Sequence, residues 1–240
     1  MKIKQLGIVS AGVALATLGT AGAAQAALVV VPTGLAPGDQ YRLVFVTAGT
    51  RDATSTNIND YNTFVTNQVT GSALANALSG AGLTTTWKAI GSTSATSAKV
   101  NTGTDGTQPD VPIYLINGNR VANNNADLWD GSIQTAISVT QNDSASSQVK
   151  IYTGTEIDGN GYMGEELGAG NITAIGDVLA TGVYWVFVEG LSNDNYFGFY
   201  GMSGVLTVPA AVTVPEPSSL LGYITLGGLM LGGAVRKARK

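Results

Sequence analysis

YRLVFVTAGTRDA (Tyr41–Ala53) places apolar side chains at alternate positions, at Tyr41, Leu43 and Phe45, before it reaches a glycine. An apolar residue at every second position predicts a strand that turns one face toward the core. The folded body of the chain is therefore expected to begin with a strand, which then leaves the core through a turn.

A helical pattern follows this strand. In STNINDYNTFVTNQV (55–69) apolar residues recur at three- and four-residue steps, which predicts an amphipathic helix with Thr56 or Asn57 as its N-cap. ALANAL (73–78) predicts a second short helix, because the glycine-containing break Gly80-Ala81-Gly82 follows it.

Short strands are predicted in the second half of the body. VPIYLINGNRVA (111–122) has a hairpin pattern, because Asn117-Gly118 suits the left-handed dihedral angles of a two-residue type I′ turn. A strand, then one or two helices, then mostly antiparallel strands with long loops describe an α+β fold. The other segments with a strand pattern are TTWKAIGS (85–92), VKIYTGT (149–155), GVYWVFVEGL (182–191) and YFGFYGMSGVLTV (196–208).

The composition excludes several kinds of chemistry. The 240 residues include no cysteine and no histidine, so a thiol nucleophile, a Ser-His-Asp triad and a Cys/His zinc site cannot be built. Residues 27–215 contain six basic and fifteen acidic side chains, a formal net charge of −9. Because nucleic acid is bound by clustered Lys and Arg, we expect no nucleic-acid partner.

Residues 1–26 have the pattern of a secretory signal peptide. Two lysines precede an apolar stretch, and Ala24 and Ala26 occupy the small-residue positions that signal peptidase reads. Cleavage is therefore expected before Ala27, followed by export. An uncleaved anchor helix is the alternative. The run is rich in alanine and glycine and only weakly apolar, which argues against such an anchor.

The last part of the chain combines a proline-rich hinge, an uncharged run at 220–235 and a basic end. The run has sixteen residues, five of them glycine, and is shorter than the roughly 20 residues that span a bilayer comfortably. The basic end would stay in the cytoplasm under the positive-inside rule. We predict a weak transmembrane segment that leaves the body outside the cytoplasm.

Pro215-Glu216-Pro217, followed by this run and the basic end, resembles the PEP-CTERM sorting signal of Gram-negative bacteria that make exopolysaccharide. The resemblance covers residues 214–240 and implies that an exosortase, a membrane protease, recognises these three residues. It also implies passage through the inner membrane to the cell surface or the extracellular matrix. A plain C-terminal anchor is the alternative.

The body between these ends resembles a known fold family in two segments. PIYLINGNRVANNNADLWDGSI (112–133) and IYTGTEIDGNG (151–161) are similar to the endostatin-like branch of the C-type-lectin-like fold. The run 41–208 also resembles an uncharacterised body of exported PEP-CTERM proteins. The resemblance implies one lectin-like α+β domain at 27–213, with a last strand that returns beside the first. The chain lacks the family's disulfides and sugar-reading tripeptides, so the resemblance does not imply carbohydrate binding.

Two loops are rich in oxygen atoms that could bind a cation. NNNADLWDG (123–131) contains Asp127 and Asp130, and TEIDGNGYMGEE (155–166) contains Asp158 and Asn160. Carboxylate and amide oxygens suit calcium, so these four residues are candidate ligands and calcium is the candidate cofactor. Alternatively, the polar side chains cap turns and a short helix. The second loop favours this alternative, because it lacks the spacing of an EF-hand.

Three functions remain open on this sequence. The leading hypothesis is a non-enzymatic cell-surface or matrix protein that an exosortase system sorts and that associates with exopolysaccharide. The second is a calcium-dependent glycan-binding module. The third, a secreted hydrolase, needs two carboxyl groups across a sugar, whereas Glu165-Glu166 and Asp127/Asp130 are sequence neighbours. The tryptophans at 87, 129 and 185 are expected to pack rather than to stack on sugars.

Overall fold

The computed structural model describes residues 28–210, which form two sheets and four helices. The helices are α1 (Ile58–Val69), α2 (Ala73–Gly80), α3 (Ala98–Thr102) and α4 (Asn125–Leu128), and a 3₁₀ helix spans Val183–Trp185. The strands are β1 (Gln40–Val46), β2 (Trp87–Ala89), β3 (Ile113–Leu115), β4 (Arg120–Ala122), β5 (Lys150–Tyr152), β6 (Ile172–Asp177), β7 (Glu189–Ser192), β8 (Tyr200–Ser203) and β9 (Leu206–Thr207).

β1 lies at the centre of the larger sheet, whose order is β2-β8-β1-β3-β4 with β9 also paired to β1. The pairing of β1 with β3 is parallel, and the other strand pairs of both sheets are antiparallel. Both faces of β1 are buried: Leu43 and Phe45 pack with α1, whereas Val44 and Val46 pack in a second cluster. The strand is therefore covered by a layer on each of its two faces, whereas its alternating pattern predicted that only one face is buried.

The second layer contains the short helices α3 and α4 and part of the sheet β5-β6-β7, whose Tyr152 and Ile175 belong to the first cluster instead. Ile151 of β5, Leu128 of α4 and Trp185 of the 3₁₀ helix belong to the same buried cluster as Val44. Two faces of one central strand thus position two cores, and the loops around the second core carry the candidate site.

The two early helices form where the sequence predicts them. Asn57 is the N-cap of α1 and its side chain accepts a hydrogen bond from the Asn59 amide at 3.1 Å. Ser72 caps α2, which ends at Gly80, and Gly82 then takes a positive φ of 67°. The return of β8 and β9 beside β1 also confirms the expected closure of the fold.

The hairpin between β3 and β4 forms, but the predicted type I′ turn is wrong. The Gly118 amide donates to the Leu115 carbonyl at 2.8 Å, and the Leu115 amide donates to Asn119. Gly118 has a φ of 90°, whereas Asn117 is not among the residues with positive φ. The loop is therefore three residues long, a type I turn closed by a left-handed glycine. The extra residue lets the fully buried Ile116 pack into the core.

The predicted strand at 182–191 is also only partly correct. Its first half forms the 3₁₀ helix, and only Glu189–Ser192 is a strand. The helical turn buries Trp185 completely while Tyr184 stays 60% exposed. Core packing of one indole therefore overrides the local strand pattern. No sequence pattern predicted α3 or β6.

The described part of the chain is a mixed α+β structure with few helices and mostly antiparallel pairing. Between residues 28 and 210, no helix has the length and hydropathy needed to cross a bilayer. The expected cleavage position at Ala24, Ala26 and Ala27, the Pro215-Glu216-Pro217 motif and the run 220–235 lie outside the described residues. The domain boundaries at 27 and 213 stay predictions.

Candidate functional site

The two polar loops that the sequence singled out meet at Trp129. Gly159 lies against the indole, and a Cβ on this glycine would be 2.7 Å from Trp129 Cδ2. The Gly159 carbonyl accepts a hydrogen bond from the Lys99 amide of α3 at 3.2 Å. A glycine is therefore required at 159, where the loop crosses the face of the ring and φ is 80°.

A groove of about 550 Å³ opens beside the half-buried Trp129. We call it the Trp129 groove. The indole is fixed by a hydrogen bond from its Nε1 to Thr104 Oγ1 at 2.9 Å. The groove is lined by Lys99, Thr104, Asp105, Gly106, Asp110, Asn125, Ala126, Trp129 and Asp158.

The three carboxylates of the Trp129 groove are held by bonds to nearby backbone. Asp105 accepts from the Thr107 hydroxyl at 2.6 Å and from its amide at 3.1 Å, and these bonds hold the pKa of Asp105 below its ordinary value. Asp110 accepts from the Asn125 amide at 2.7 Å, and Asp158 from the Asn160 amide at 2.9 Å. The groove therefore presents fixed acceptors beside an aromatic ring.

Asp127 and Asp130 do not line this groove. Asp127 accepts from the Asn123 amide at 2.6 Å, and its own amide donates to the α4 cap Asn124 at 2.8 Å. Asp130 accepts from the Ser132 amide at 3.0 Å. These are the hydrogen bonds expected if the polar side chains cap turns and a short helix rather than bind a cation.

The geometry gives the calcium hypothesis no support. Asp158 and Asn160 bond to each other within one turn, through both backbone and side chain. Across residues 28–210, no three acidic side chains come together in a group that could hold a metal ion. Asp127, Asp130, Asp158 and Asn160 therefore do not form a ligand cluster.

The tryptophans divide between packing and exposure. Trp185 is fully buried and its ring lies 5.6 Å from that of Trp129, and Trp87 packs edge-on against Phe45 at 5.1 Å. The expectation that these two side chains pack is confirmed. Trp129 packs on Trp185 and also lines the Trp129 groove, whereas Trp87, although only 5% exposed, lines two other surface cavities.

Sequence reasoning missed Arg42, which lies in the middle of the most buried strand. It is 2% exposed and lines a second cavity of about 310 Å³, which we call the Arg42 pocket. Burial lowers the pKa of Arg42 below its ordinary value. The signal was available in the printed chain, because Arg42 is the only charge within YRLVFV.

Comparison with known proteins assigns no function to these sites. No protein-family model matches the chain, and no curated protein matches it in sequence. The function is therefore inferred from the residues themselves.

Proposed function

We propose that this is an exported, non-enzymatic protein of the cell surface or extracellular matrix of a Gram-negative bacterium. In this proposal signal peptidase and an exosortase process its ends, and the body associates with exopolysaccharide. The observation that carries the proposal is the order of Pro215-Glu216-Pro217, an uncharged run and a basic end. A C-type-lectin-like fold is part of the proposal, supported by the early helices and by the last strands beside the first.

The way in which the body ends is compatible with attachment through the tail. β9 pairs with the start of β1, with Thr207 opposite Gln40. Beyond it, Val208 exchanges backbone hydrogen bonds with Gly38 and Asp39 at 3.0 and 2.9 Å. The described body therefore ends beside the central strand and not in a peripheral loop.

Deletion of residues 215–240 is expected to move the protein from the cell surface to the medium, because it removes the sorting element and the membrane run together. Immunoblots of surface and medium fractions measure the change. Alanine at Pro215, Glu216 and Pro217 separates sorting from plain anchoring, because the apolar run stays intact. A matched control changes Ser218 and Ser219 to alanine. An unchanged distribution of the deletion variant would overturn the sorting proposal.

The Trp129 groove supports the association with polysaccharide. The half-buried indole of Trp129 contributes apolar surface to the groove, and the fixed carboxylates of Asp105, Asp110 and Asp158 offer acceptors for hydroxyl groups. Apolar faces combined with a few placed polar groups are typical of small-ligand sites. The calcium-dependent alternative has less support, because Asp127 and Asp130 accept local backbone hydrogen bonds and do not line this groove.

Trp129→Ala is expected to weaken retention of the full chain on a column of exopolysaccharide from the producing bacterium by about 2–10-fold, the range of one aromatic contact. Tyr184→Ala, which removes a 60% exposed ring elsewhere, is the control. Asp105→Asn, at an exposed position, tests the same groove without disturbing the packing of Trp129. Equal retention of all four proteins would contradict the role of the groove.

A further inference from the structure

Arg42 is a buried charge that has no counter-ion among residues 28–210. Its Nη1 donates to the carbonyls of Thr102 at 2.9 Å and Ser203 at 3.0 Å, and its Nη2 donates to that of Gly103 at 3.2 Å. These acceptors are neutral, so the positive charge is hydrogen-bonded but not compensated. A buried charge is strongly unfavourable unless an opposite charge accompanies it.

Two donors of Arg42 have no acceptor within the described chain, namely the buried Nε–H and one hydrogen of Nη2. The other three of its five N–H groups are used. Nε and Nη2 lie on the same side of the planar group. This is an edge through which arginine holds a carboxylate with two parallel hydrogen bonds.

The Arg42 pocket has the lining of a site for a hydroxylated anion. It places Lys88 of β2 near Arg42, and none of its lining residues is acidic, although the body carries a net charge of −9. Its volume of about 310 Å³ suits a ligand the size of one sugar ring. The neutral polar residues in its wall are Thr86, Asn101, Thr102, Thr107, Gln108 and Ser203.

We propose that the Arg42 pocket binds the carboxylate of a hydroxylated acid, namely the uronate of an acidic polysaccharide. The carboxylate takes the Nε–Nη2 edge of Arg42, Lys88 supplies a second positive charge, and the Thr86 hydroxyl and the Gln108 amide bond to the sugar. Gln108 packs against Gly103 beside Nη2, so its side chain moves aside when the ligand enters. The inference deepens the proposed association with exopolysaccharide and rests on it, because the exopolysaccharide is the source of the uronate. It does not depend on the sorting step.

Calorimetric titration of the full chain in non-ionic detergent tests the ligand class. Sodium glucuronate is expected to bind at least about tenfold more tightly than glucose, because hydrogen bonds to a charged group are the strong ones. Acetate is expected to bind more weakly than glucuronate, because it lacks the hydroxyl groups. Glucuronate binding no tighter than glucose would overturn the proposal, and acetate binding as tightly as glucuronate would overturn the assignment to a sugar acid.

Two lysines provide a matched pair of variants. Lys88→Gln is expected to lower the affinity for glucuronate about 3–10-fold and to reduce its dependence on salt. Lys150→Gln removes an equal charge from β5, where the ammonium lies 2.7 Å from Glu189, and is expected to change nothing. Equal effects of the two variants would overturn the pocket assignment.

Arg42→Lys keeps the charge of residue 42 and removes the two-donor edge, so glucuronate binding is expected to be lost. Its melting temperature is recorded in parallel, and Lys88→Gln keeps the proposal testable if this variant does not fold. If glucuronate fails to bind while Trp129→Ala still loses retention on exopolysaccharide, the Arg42 pocket is wrong and the proposed function stands.

Discussion

Replacement of Trp185 with alanine is expected to lower the free energy of unfolding by about 3–5 kcal/mol. The indole is fully buried, and its ring centre lies 5.6 Å from that of Trp129 and 5.9 Å from that of Tyr200. Tyr200 belongs to the larger sheet, whereas Trp185 enters from the second layer. The substitution therefore opens a cavity between two layers, each of which is held in place by its own strand pairing.

The neighbouring residue supplies the control for this prediction. Tyr184 lies in the same 3₁₀ helix but is 60% exposed, so Tyr184→Ala is expected to cost less than about 0.5 kcal/mol. Trp185→Phe should cost less than the alanine variant, because it keeps a ring and removes an Nε1 donor that has no described acceptor. Urea unfolding measures all three variants. Similar losses for Trp185→Ala and Tyr184→Ala would show that residue 185 does not join the layers.

Elements that depend on neighbouring residues were predictable. The apolar alternation at Tyr41, Leu43 and Phe45 and the three- and four-residue steps after Asn57 are local signals, and β1 and α1 form at those positions. Asn57 caps its helix through an amide only two residues away. A single sequence contains all the information that such elements require.

Elements that depend on distant residues were not predictable. The carbonyls that hold Arg42 belong to residues 60, 61 and 161 positions away in the chain. The parallel pairing of β1 with β3 likewise joins Leu43 to Tyr114 across the two helices. The 3₁₀ helix around Trp185 forms because a cavity in another layer accepts the indole. None of these partners is visible in the local pattern.

The candidate site was predictable in part for the same reason. The loops that contain Trp129 and Asp158 were singled out by composition, and they share one groove. Asp105 and Asp110 complete that groove from the segment after α3, which carried no motif. Asp127 was singled out for calcium but serves local turn bonds, because an Asn or Asp near a helix start satisfies free backbone donors at short range.

Alkaline pH is expected to destabilise the fold through four fully buried tyrosines, 41, 61, 152 and 200. Each hydroxyl donates a hydrogen bond to a backbone carbonyl, as Tyr41 does to Val30 at 2.6 Å and Tyr61 to Ser55 at 2.7 Å. A phenolate cannot donate this bond, and burial disfavours its charge. Burial raises the pKa of Tyr41 to about 12 and raises the pKa values of the other three further above the ordinary value.

The sign of the pH effect follows from these directions. The pKa of a buried tyrosine is higher in the folded state than its value of about 10 in the unfolded chain, so the unfolded state releases protons first as pH rises. The stabilisation is complete below about pH 10 and is lost above it, by up to about 1.4 kcal/mol per pH unit for each tyrosine. Urea unfolding measured from neutral pH to about pH 11 should therefore give a plateau and then a steep fall.

Two phenylalanine variants separate the buried hydroxyls from other alkaline effects. Tyr200→Phe removes one fully buried hydroxyl. Above about pH 10 its unfolding free energy is expected to fall less steeply with pH, because one proton fewer is released on unfolding. Tyr196→Phe changes a ring that is 66% exposed and is expected to leave the slope unaltered. If unfolding free energies stay level up to about pH 11, or if both variants fall as steeply as the parent chain, then the buried hydroxyls do not control alkaline stability. Because the four acceptor carbonyls lie in separate segments of both layers, the expected loss is global unfolding rather than the opening of one loop.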